Sequence, residues 1–340
     1  MKRIRVVQYG VGPIGAGMVR LMAQKPELNI IGAIDIDPNK AGRDLGEVAG
    51  VGRELGVKIS ADADSVLAMN ADVVVHTTSS YLKSVEKQLL DCLDAEMHVV
   101  STCEELSYPF RKHPELSHKL DEAAKRNGVV ILGTGVNPGF AMDKMILTLA
   151  TACQSVTGAT AHRIVNASKR RQPLQAKIGS GLTVEEFHQK VKDGIIKHHG
   201  LPESVGMVAD SLALPVDDVT EVIEPVVATD RVVTDFFDVP AGKVVGVRQV
   251  ARGTSNGKEY VNLKLEMYLG APDSIDTVTI HGTPELTLQI PGGIHGDLAT
   301  AAITVNCIPA LFEMRPGLRT SKDTPMCFFP GVEVAKAVMV

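Results

Sequence analysis

Residues 4–15 of the chain read IRVVQYGVGPIG, and this stretch decides the fold of the first half. Its first six residues are mostly β-branched or aromatic and predict a strand, whereas apolar side chains recur at helical spacing over Ile14–Gln24. The glycines between these two elements form the pattern G-x-G-x-x-G. A strand, this pattern and a helix in succession are typical of a fold that binds a dinucleotide at the turn.

Each residue of this turn has a physical task in such a site. Gly10 permits the tight turn, Gly12 lets a pyrophosphate approach the backbone, and Gly15 allows the helix to pack closely on the strand. Pro13 and Ile14 stand at the start of the helix, where unpaired N–H groups and the positive helix end attract an anion. We therefore assign all five residues to cofactor binding. The alternative is a glycine-rich loop without a ligand.

Short apolar runs alternate with helical patterns in the first half of the chain. The run DVVVH, at Asp72–His76, is typical of a strand buried on both faces. The alternation predicts an α/β fold, a Rossmann doubly wound parallel sheet, in a first domain of residues 1–145. Further strands are expected at Ile30–Ile34, His98–Ser101 and Val129–Leu132, and further helices at Leu82–Leu93 and Glu115–Asn127.

Strands follow one another in the second half, which changes the predicted class. A strand at Val156–Asn166 precedes two helices, and Thr183 with Glu186 forms a capping box at the start of the first. Six strands in succession predict an antiparallel sheet, so we expect residues 146–295 to form an α+β domain. The helices are expected at Thr183–Ile196 and Pro202–Ala213, and the strands at Glu221–Ala228, Val232–Asp238, Val244–Arg252, Tyr260–Tyr268, Thr277–His281 and Leu286–Ile290.

Two local patterns complete this organisation. Asn256-Gly257 stands between two of the strand runs and predicts a hairpin turn. Leu298–Phe312 is apolar enough to require burial and predicts a helix with Asp297 as its N-cap. We expect this helix and the tail, residues 296–340, to pack back on the first domain.

The composition narrows the possible partners. The 35 Lys and Arg against 40 Asp and Glu give a net charge of −5 without a basic face, so no nucleic acid is expected. The chain has no Trp, 5 Tyr and 8 Phe, which argues against a stacking pocket and favours a small aliphatic or charged ligand. The longest nearly apolar run has 15 residues, fewer than a membrane span needs, so no membrane is expected.

The cysteines indicate the redox environment. Five widely spaced cysteines without a CxxC pair form neither a disulfide framework nor a zinc site. We therefore expect reduced thiols, a cytoplasmic location and no metal.

Asp35 ends the second predicted strand, 20 residues after Gly15. An acidic side chain there accepts hydrogen bonds from the adenosine ribose and repels a 2′-phosphate, which favours NAD. Lys40 and Arg43 follow closely, and either can neutralise a 2′-phosphate if it turns toward the ribose. The sequence therefore predicts NAD or NADP, with Asp35 and Arg43 in the cofactor site. The alternative for Arg43 is a solvated helix residue.

Two strand ends carry polar side chains that suit chemistry, because ligands of such sheets bind beyond the carboxyl ends of the strands. Thr77 and Thr78 suit the edge of a dinucleotide, or else belong to an ordinary strand-end turn. Glu104 and Glu105 follow the next strand, where a carboxylate can act as general base on an ammonium group or on water. An exposed acidic turn is the alternative for this pair.

Further candidates lie later in the chain. Asn137, before a proline after the fifth strand, can contact substrate or serve as an N-cap. A basic run at residues 162–171 leads to a glycine-rich helix start at residues 177–183, a combination that suits a substrate carboxylate. His281 ends a strand and His295 lies in a glycine-rich turn, and each is either a substrate contact or a structural residue.

Several motifs together resemble one family. GVGPIG, DIDPNKAGRDLGEVAG, DVVVHTTSS, VVSTCEELSYP and GTGVNPGFAMD resemble the dihydrodipicolinate reductase-like dehydrogenases, and within them the family of 2,4-diaminopentanoate dehydrogenase and the native amine dehydrogenases. The segments NASKRRQPLQAKIGSGLT and GGIHGDLATAAITVNCIPAL extend the resemblance over nearly the whole chain. A paired-histidine motif of the lysine-synthesis reductases is missing, which argues against that activity.

The resemblance implies a Rossmann domain followed by an α+β substrate and dimerisation domain, in a homodimer. It implies NAD(P)-dependent oxidative deamination of 2,4-diaminopentanoate at C4, giving 2-amino-4-oxopentanoate and ammonia. It implies that Glu104 is the catalytic residue, with Glu105 as the neighbouring alternative. It also places Asn137, Arg163 and Asn166 at the substrate, and we include His281 and His295 with them. The substrate class is a small diamino acid or amine.

Two other functions stay open at this point. One is an amine dehydrogenase or imine reductase that acts on another small substrate. The other is a non-catalytic sensor that binds a nicotinamide cofactor on the same scaffold, because fold alone does not establish activity.

Overall fold

The computed structural model describes residues 3–170 and 172–328. The chain forms two compact units. Among the described residues, unit 1 consists of residues 3–140 and 295–328, and unit 2 lies between them, within Ala141–Ile294. The chain therefore leaves unit 1 after Phe140 and returns to it at His295.

A seven-stranded parallel sheet forms the centre of unit 1. Numbered along the whole chain, its strands are β1 (Ile4–Tyr9), β2 (Leu28–Ile34), β3 (Ile59–Ser60), β4 (Val73–His76), β5 (His98–Ser101), β6 (Val130–Gly133) and β15 (Gly317–Thr320). Their order is β15-β6-β5-β4-β1-β2-β3. From β1 the chain adds β2 and β3 on one side of the sheet, and it then adds β4, β5, β6 and β15 on the other side. The predicted doubly wound parallel sheet is therefore confirmed.

Helices cover both faces of this sheet. They are α1 (Pro13–Met22), α2 (Leu45–Ala49), α3 (Ala63–Leu67), α4 (Leu82–Asp94), α5 (Pro114–Arg126) and α10 (Gly296–Asn306). Successive side chains of a strand point to opposite faces, so Val73 and Val75 pack in the cluster with α1 and α10, whereas Val74 packs in the cluster with α4 and α5. Each fully buried valine contributes about 1.5–3 kcal/mol.

The apolar segment predicted as one helix over Leu298–Phe312 consists of two elements. α10 ends at Asn306, and a short 3-10 helix covers Pro309–Phe312. Pro309 cannot continue an α-helix, because it has no N–H to donate and its ring clashes with the carbonyl four residues earlier. α10 packs against α1 within unit 1.

The N-cap of α10 is His295 and not the predicted Asp297. Nδ1 of His295 accepts a hydrogen bond from the N–H of Leu298 at 3.4 Å. Asp297 lies in the first turn instead, where a negative charge suits the positive end of the helix dipole.

A six-stranded mixed sheet forms the centre of unit 2. Its strands are β7 (Ser155–Asn166), β8 (Asp218–Val227), β11 (Val244–Ser255), β12 (Lys258–Tyr268), β13 (Ile275–Thr283) and β14 (Leu286–Pro291), in the order β14-β13-β7-β12-β11-β8. The prediction of an antiparallel sheet is wrong for one pair, because β7 and β12 run parallel. No hairpin joins these two strands, so the long intervening chain leaves their relative direction free.

The predicted strand Val232–Asp238 is also wrong. This segment forms β9 (Val232–Val233) and β10 (Asp238–Val239), which pair as a small separate ribbon. The N–H of Phe237 donates to the hydroxyl oxygen of Thr234 at 3.0 Å, which turns the chain between the two short strands.

Four helices complete unit 2: α6 (Lys144–Ala150), α7 (Gln172–Lys177), α8 (Val184–Lys192) and α9 (Leu201–Ser211). α9 packs on one face of the sheet, against β8, β11 and β12. The predicted capping box of Thr183 and Glu186 is confirmed at the start of α8. The predicted hairpin turn is confirmed as well, since Asn256-Gly257 joins β11 to β12.

In the described part of the chain, no helix combines the length and the apolarity needed to cross a membrane. Within the same residues, no three or more His, Cys, Asp or Glu side chains come together in a group able to hold a metal ion.

Candidate active site

The glycine turn after β1 is packed too closely for larger residues at two of its three glycines. A Cβ atom on Gly15 would lie 2.1 Å from the carbonyl oxygen of Gly10, and one on Gly10 would lie 2.7 Å from the carbonyl oxygen of Thr77. Gly10 also has a φ angle of 90°, in the region that favours glycine. These two glycines therefore build the turn itself.

Gly12 has a different surrounding, which fits a bound pyrophosphate. A Cβ atom on Gly12 would meet nothing within 4 Å, so the backbone here borders open space. Gly12 is the N-cap of α1, it makes no side-chain cap, and Pro13 follows it at the first helical position. The exposed N–H groups of this helix start can bind an anion. The predicted site residues Gly12, Pro13 and Ile14 thus share one open helix start.

The Asp35 carboxylate lies beside this turn. Oδ2 accepts the N–H of Val11 at 2.7 Å and lies 3.1 Å from Nζ of Lys40, while Oδ1 accepts the N–H of Asp37 at 2.9 Å. Burial raises the pKa of Asp35, but these N–H groups and the ammonium group outweigh burial and hold the pKa below its usual value. An ionised carboxylate at the end of β2 is suited to accept hydrogen bonds from ribose hydroxyls.

Arg43 is turned away from Asp35. Nη2 of Arg43 lies 2.7 Å from Oε1 of Glu47, one helical turn further along, and both side chains are half exposed. The cation that contacts Asp35 is Lys40. The structure therefore brings Lys40, rather than the predicted Arg43, to the Asp35 carboxylate.

Thr77 and Thr78 follow β4, and their hydroxyl groups bond within the protein. Oγ1 of Thr77 donates to the carbonyl oxygen of Gly10 at 2.8 Å, whereas Oγ1 of Thr78 donates to Oε1 of Gln88 at 2.7 Å. The same Gln88 oxygen accepts from Nε2 of His76 at 2.9 Å. Burial lowers the pKa of His76 to about 4, so this imidazole is neutral near pH 7.

Glu105 is a buried structural carboxylate. Oε1 lies 2.6 Å from Nζ of Lys112, and Oε2 accepts the N–H of Leu82 at 2.7 Å and lies 3.0 Å from Nε2 of His113. Burial raises the pKa of Glu105, but Lys112, Leu82 and His113 together hold it below its usual value. One of these contacts is to the N–H of Leu82, the first residue of α4, so the Glu105 carboxylate stabilises the start of this helix.

Glu104 begins the 3-10 helix Glu104–Ser107, directly after β5, and is half-buried. This helix rests on the neighbouring strand β6, where a Cβ atom on Gly133 would lie 2.3 Å from the carbonyl oxygen of Leu106. The hydroxyl of Ser107 donates to the carbonyl oxygen of Glu104 at 2.7 Å and closes the turn. A rigid support therefore holds the Glu104 backbone at the carboxyl edge of the sheet.

Asn137 follows β6, the strand beside β5. Ser101 at the end of β5 pairs with Gly133 at the end of β6, and the N–H of Thr134 donates to the carbonyl oxygen of Ser101 at 2.9 Å. Neighbouring strands lie about 4.8 Å apart. Asn137, which is buried, thus follows the strand next to the one that carries Glu104.

The candidates in unit 2 make contacts within that unit. Arg163 is buried and lies 3.3 Å from Oδ2 of Asp276, and it also donates to the carbonyl oxygen of Ile294. The same Asp276 oxygen accepts the N–H of Ile294 at 2.7 Å. Arg163 and Asp276 therefore fix both sides of the Ile294 backbone, just before His295.

Asn166 and His281 lie at opposite ends of the sheet in unit 2. Nδ2 of Asn166 donates to the carbonyl oxygen of Ala271 at 2.7 Å. His281 is partly exposed and lies 3.4 Å from Glu285. On β13 it is five residues from Asp276, the partner of Arg163, or roughly 17 Å along the strand. The structure thus does not bring His281 together with Arg163 and Asn166.

Two family descriptions match successive parts of the chain. Residues 140–335 match the 2,4-diaminopentanoate dehydrogenase C-terminal domain, and residues 4–134 match the dihydrodipicolinate reductase N-terminus. The 2,4-diaminopentanoate dehydrogenase of Acetoanaerobium sticklandii is 30% identical over 352 aligned residues, which cover 96% of this chain and 94% of that protein.

The chain belongs to the 2,4-diaminopentanoate dehydrogenase family. An amine dehydrogenase of Streptomyces virginiae is 24% identical, covering 95% of this chain and 96% of that protein. The solved structure of an amine dehydrogenase from Mycobacterium smegmatis superposes with a TM-score of 0.83 at 28% identity, covering 96% of this chain and 98% of that one. The enzyme class is accordingly that of the amine and amino-acid dehydrogenases, which are oxidoreductases.

More distant structures share only the fold with this member of the 2,4-diaminopentanoate dehydrogenase family. They include a protein of gentamicin A biosynthesis solved in complex with NAD, and two dehydrogenases solved with NADP+ or with NADH, at 15–16% identity.

Sequence reasoning missed three residues around the glycine turn of this family member. Gln8 and Gln88 contact Thr77 and Thr78, and His76 joins the second pair. A buried glutamine within an apolar strand is the signal that could have drawn attention to Gln8. For Gln88, on a helix, no comparable signal exists, because polar side chains on one helix face are ordinary.

Proposed function

We propose that the protein catalyses NAD(P)-dependent oxidative deamination of 2,4-diaminopentanoate at C4, yielding 2-amino-4-oxopentanoate and ammonia. The observation that carries this proposal is the position of Glu104, at the carboxyl edge of the parallel sheet that also carries the glycine turn, in a member of this family. Ligands of such sheets bind beyond that edge.

The cofactor would be held by the residues of the glycine turn and by Asp35. The open helix start at Gly12, Pro13 and Ile14 suits the pyrophosphate, and Asp35 suits the adenosine ribose. When bound, the nicotinamide supplies a hydride acceptor for the substrate carbon. Asp35 favours NAD, while Lys40 beside it offers a charge for a 2′-phosphate, so we propose use of NAD or NADP.

Glu104 would act as the base in both halves of the reaction. It first takes a proton from the C4 ammonium group, which leaves an amine able to lose hydride from C4 as the C=N bond forms. After releasing this proton to solvent, Glu104 takes a proton from water as the water oxygen attacks the iminium carbon. It passes that proton to the nitrogen of the carbinolamine, the C–N bond breaks to release ammonia, and the hydroxyl group loses its proton to solvent as the C=O bond forms. The carboxylate of Glu105 already accepts from Lys112, His113 and Leu82, and its protonation would weaken these contacts, which argues against Glu105 as the base.

Substrate binding by Asn137, Arg163, Asn166, His281 and His295 stays a prediction. The contacts of Arg163 and Asn166 within unit 2 favour roles in shaping a site. The position of His281 at the other end of the sheet argues against a shared site with these two residues.

We further propose a homodimer formed through the face of the unit 2 sheet opposite to α9. Outward side chains there are polar and partly exposed, such as His162, Arg248 and Lys264, which gather around Glu266 at 2.6–2.9 Å. Six strands about 4.8 Å apart and roughly eight residues long present on the order of 800 Å², the area each partner buries in a stable dimer. Ile164→Asp should yield monomers by light scattering, whereas Glu54→Gln, in unit 1, should not.

We propose a cytoplasmic location on the state of the thiols. The five cysteines form no disulfide bond within the residues that the structure describes, and Cys92, Cys103 and Cys307 are buried. Reduced cysteines are typical of that compartment.

The test of the activity is a steady-state assay with NAD and NADP. The substrates are 2,4-diaminopentanoate, ornithine, diaminopimelate and simple amines, with NAD(P)H formation as readout. We expect 2,4-diaminopentanoate to give the highest kcat/KM. A higher kcat/KM for another amine would mean that 2,4-diaminopentanoate is not the substrate. Reduction of a cyclic imine would favour an imine reductase. Cofactor binding without any turnover would favour a sensor.

The role of Glu104 is tested by Glu104→Gln, with the exposed Glu313→Gln as matched control. Glu104→Gln should lower kcat by about a hundredfold or more, the usual contribution of a general base, while cofactor binding persists. The control should retain full activity. Full activity of Glu104→Gln would refute the assignment.

A further inference from the structure

Gln8 lies under the glycine turn, in β1, between β4 and β2 in the unit 1 sheet, and is fully buried. Nε2 donates to the carbonyl oxygen of Gly10 at 2.8 Å and to Oγ1 of Thr77 at 3.0 Å. Oγ1 of Thr77 donates in turn to the same Gly10 oxygen at 2.8 Å. Two side chains from neighbouring strands therefore hold one carbonyl group.

A glutamine in this place is costly for the fold. Its Oε1 is buried and makes no hydrogen bond to any residue that the structure describes. A buried polar atom without a partner destabilises a protein, and an apolar side chain of the same shape avoids that cost. The neighbouring strand residues Val6 and Val7 are fully buried and apolar. Stability therefore does not account for Gln8, which points to a role at the turn.

The held carbonyl determines the direction of the next N–H group. The peptide plane between Gly10 and Val11 is rigid, and a trans peptide directs its C=O and N–H to opposite sides. With the Gly10 oxygen turned toward Gln8 and Thr77, the N–H of Val11 points the other way, where it donates to Oδ2 of Asp35 at 2.7 Å. A chain of hydrogen bonds thus connects Gln8 to the Asp35 carboxylate.

We propose that Gln8 and Thr77 are positioning residues that fix the Gly10–Val11 peptide and, through it, orient Asp35 for the adenosine ribose of the dinucleotide. This inference rests on the proposed cofactor. The Thr77 hydroxyl then acts by holding the backbone of the turn. Gln8, a strand residue below the turn, then contributes to dinucleotide binding.

The experiment measures dinucleotide affinity directly on the full-length protein, by titration calorimetry with NADH, NADPH and ADP-ribose. The variants are Gln8→Met, which keeps the shape of the side chain, Thr77→Val and Thr77→Ser. Gln249→Met is the matched control, because Gln249 is also a fully buried strand glutamine that holds backbone, at His198 in unit 2. Melting temperature and kcat at saturating cofactor are recorded for each variant.

We expect Gln8→Met and Thr77→Val each to weaken NADH and ADP-ribose binding by about fivefold to tenfold, the effect of one lost hydrogen bond of about 1 kcal/mol. Thr77→Ser should restore affinity to within about twofold, because it keeps the hydroxyl. The KM for cofactor should rise while kcat at saturation stays within about twofold. Gln249→Met should bind NADH like the wild type.

Wild-type affinity of both Gln8→Met and Thr77→Val would overturn the proposal, and so would a loss equal to that of Gln249→Met. If Gln8→Met does not fold, the pair Thr77→Val and Thr77→Ser decides, since only a positioning role predicts loss in the first and rescue in the second. Failure of the wild type to bind any of the three ligands would refute the proposed cofactor, and the inference with it. A third outcome is that the wild type binds the dinucleotide tightly but shows no turnover, while the variants bind it more weakly. That result would support the inference and refute the proposed reaction.

Discussion

Nζ of Lys40 lies 3.1 Å from Oδ2 of Asp35. Asp35 is the carboxylate that we expect to bind the ribose, and Lys40, five residues later in the chain, is a cation that can bind a 2′-phosphate. Asp35 alone repels NADP. Lys40 also lies 3.4 Å from Oδ2 of Asp37, so one cation faces two carboxylates, and it supplies the positive charge that a 2′-phosphate would meet here.

We predict that Lys40→Ala weakens NADPH more than NADH, because it removes the charge that balances both Asp35 and the phosphate. Asp35→Ala should have the opposite effect and weaken NADH more. The measurement is the ratio of the two dissociation constants for each variant. Arg43→Ala serves as control and should change neither, since Arg43 pairs with Glu47. Equal losses for both cofactors in Asp35→Ala would mean that Asp35 does not distinguish the ribose.

We predict that Gly12→Ala and Gly15→Ala separate binding from folding. Ala at position 12 meets nothing within 4 Å and keeps an extended backbone, so the melting temperature should stay within about 2 °C while dinucleotide affinity falls by tenfold or more. Ala at position 15 would stand 2.1 Å from the Gly10 oxygen, so both quantities should fall. Calorimetry and thermal unfolding give the two readouts. Undiminished affinity in Gly12→Ala would contradict a pyrophosphate at this helix start.

We predict that Glu105→Ala destabilises the protein by about 2–4 kcal/mol, because it leaves the buried N–H of Leu82 and the side chain of His113 without their acceptor. Glu104→Gln, which keeps the size of the side chain and its ability to accept a hydrogen bond, should lower the free energy of unfolding less than Glu105→Ala does. Urea denaturation measures both values. A small loss in Glu105→Ala together with lost turnover would transfer the catalytic role to Glu105.

We predict that His76 makes stability depend on pH. Burial lowers its pKa from 6.5 to about 4, so between these values the unfolded chain binds a proton that the folded chain does not. Stability is therefore fully present above pH 6.5 and declines as the pH falls toward 4, by at most about 3 kcal/mol. His76→Gln should flatten the decline between pH 6.5 and 5, and the exposed His118→Gln should not. Urea titrations at several pH values decide, and an unchanged slope in His76→Gln would contradict the prediction.

The local patterns of the sequence were enough for the longer strands and helices of the first half of the chain, whereas the short elements α2, β3 and α3 were not predicted. The strand, glycine turn and helix at residues 4–24, and the alternation that follows, depend on side-chain periodicity and on steric limits of a few neighbouring residues. The capping box at Thr183 and the turn at Asn256-Gly257 depend on equally local chemistry and are confirmed. The resemblance of the motifs to one family is confirmed by the match over 96% of the chain.

The C-terminal part of the sheet escaped prediction. Strand β15 reads GLRT and has a single large apolar side chain, so no apolar run marks it in the sequence, and it forms by pairing with β6. The parallel pair β7 and β12 escaped for a similar reason, since strand direction depends on partners distant in the chain. Likewise, His295 displaced Asp297 as the N-cap of α10, because the choice of cap depends on where the helix begins in three dimensions.

The sequence by itself determined the class of the protein: an α/β unit with a dinucleotide turn, an acidic residue at the ribose position and a carboxylate after β5. These features are written in neighbouring residues and fixed spacings. Only the tertiary structure showed that Lys112 and His113 hold Glu105, and only it placed Lys40 on Asp35 and Gln8 beneath Gly10. The reason is physical: the role of a polar side chain depends on which partners satisfy it, and folding brings those partners from other strands and helices.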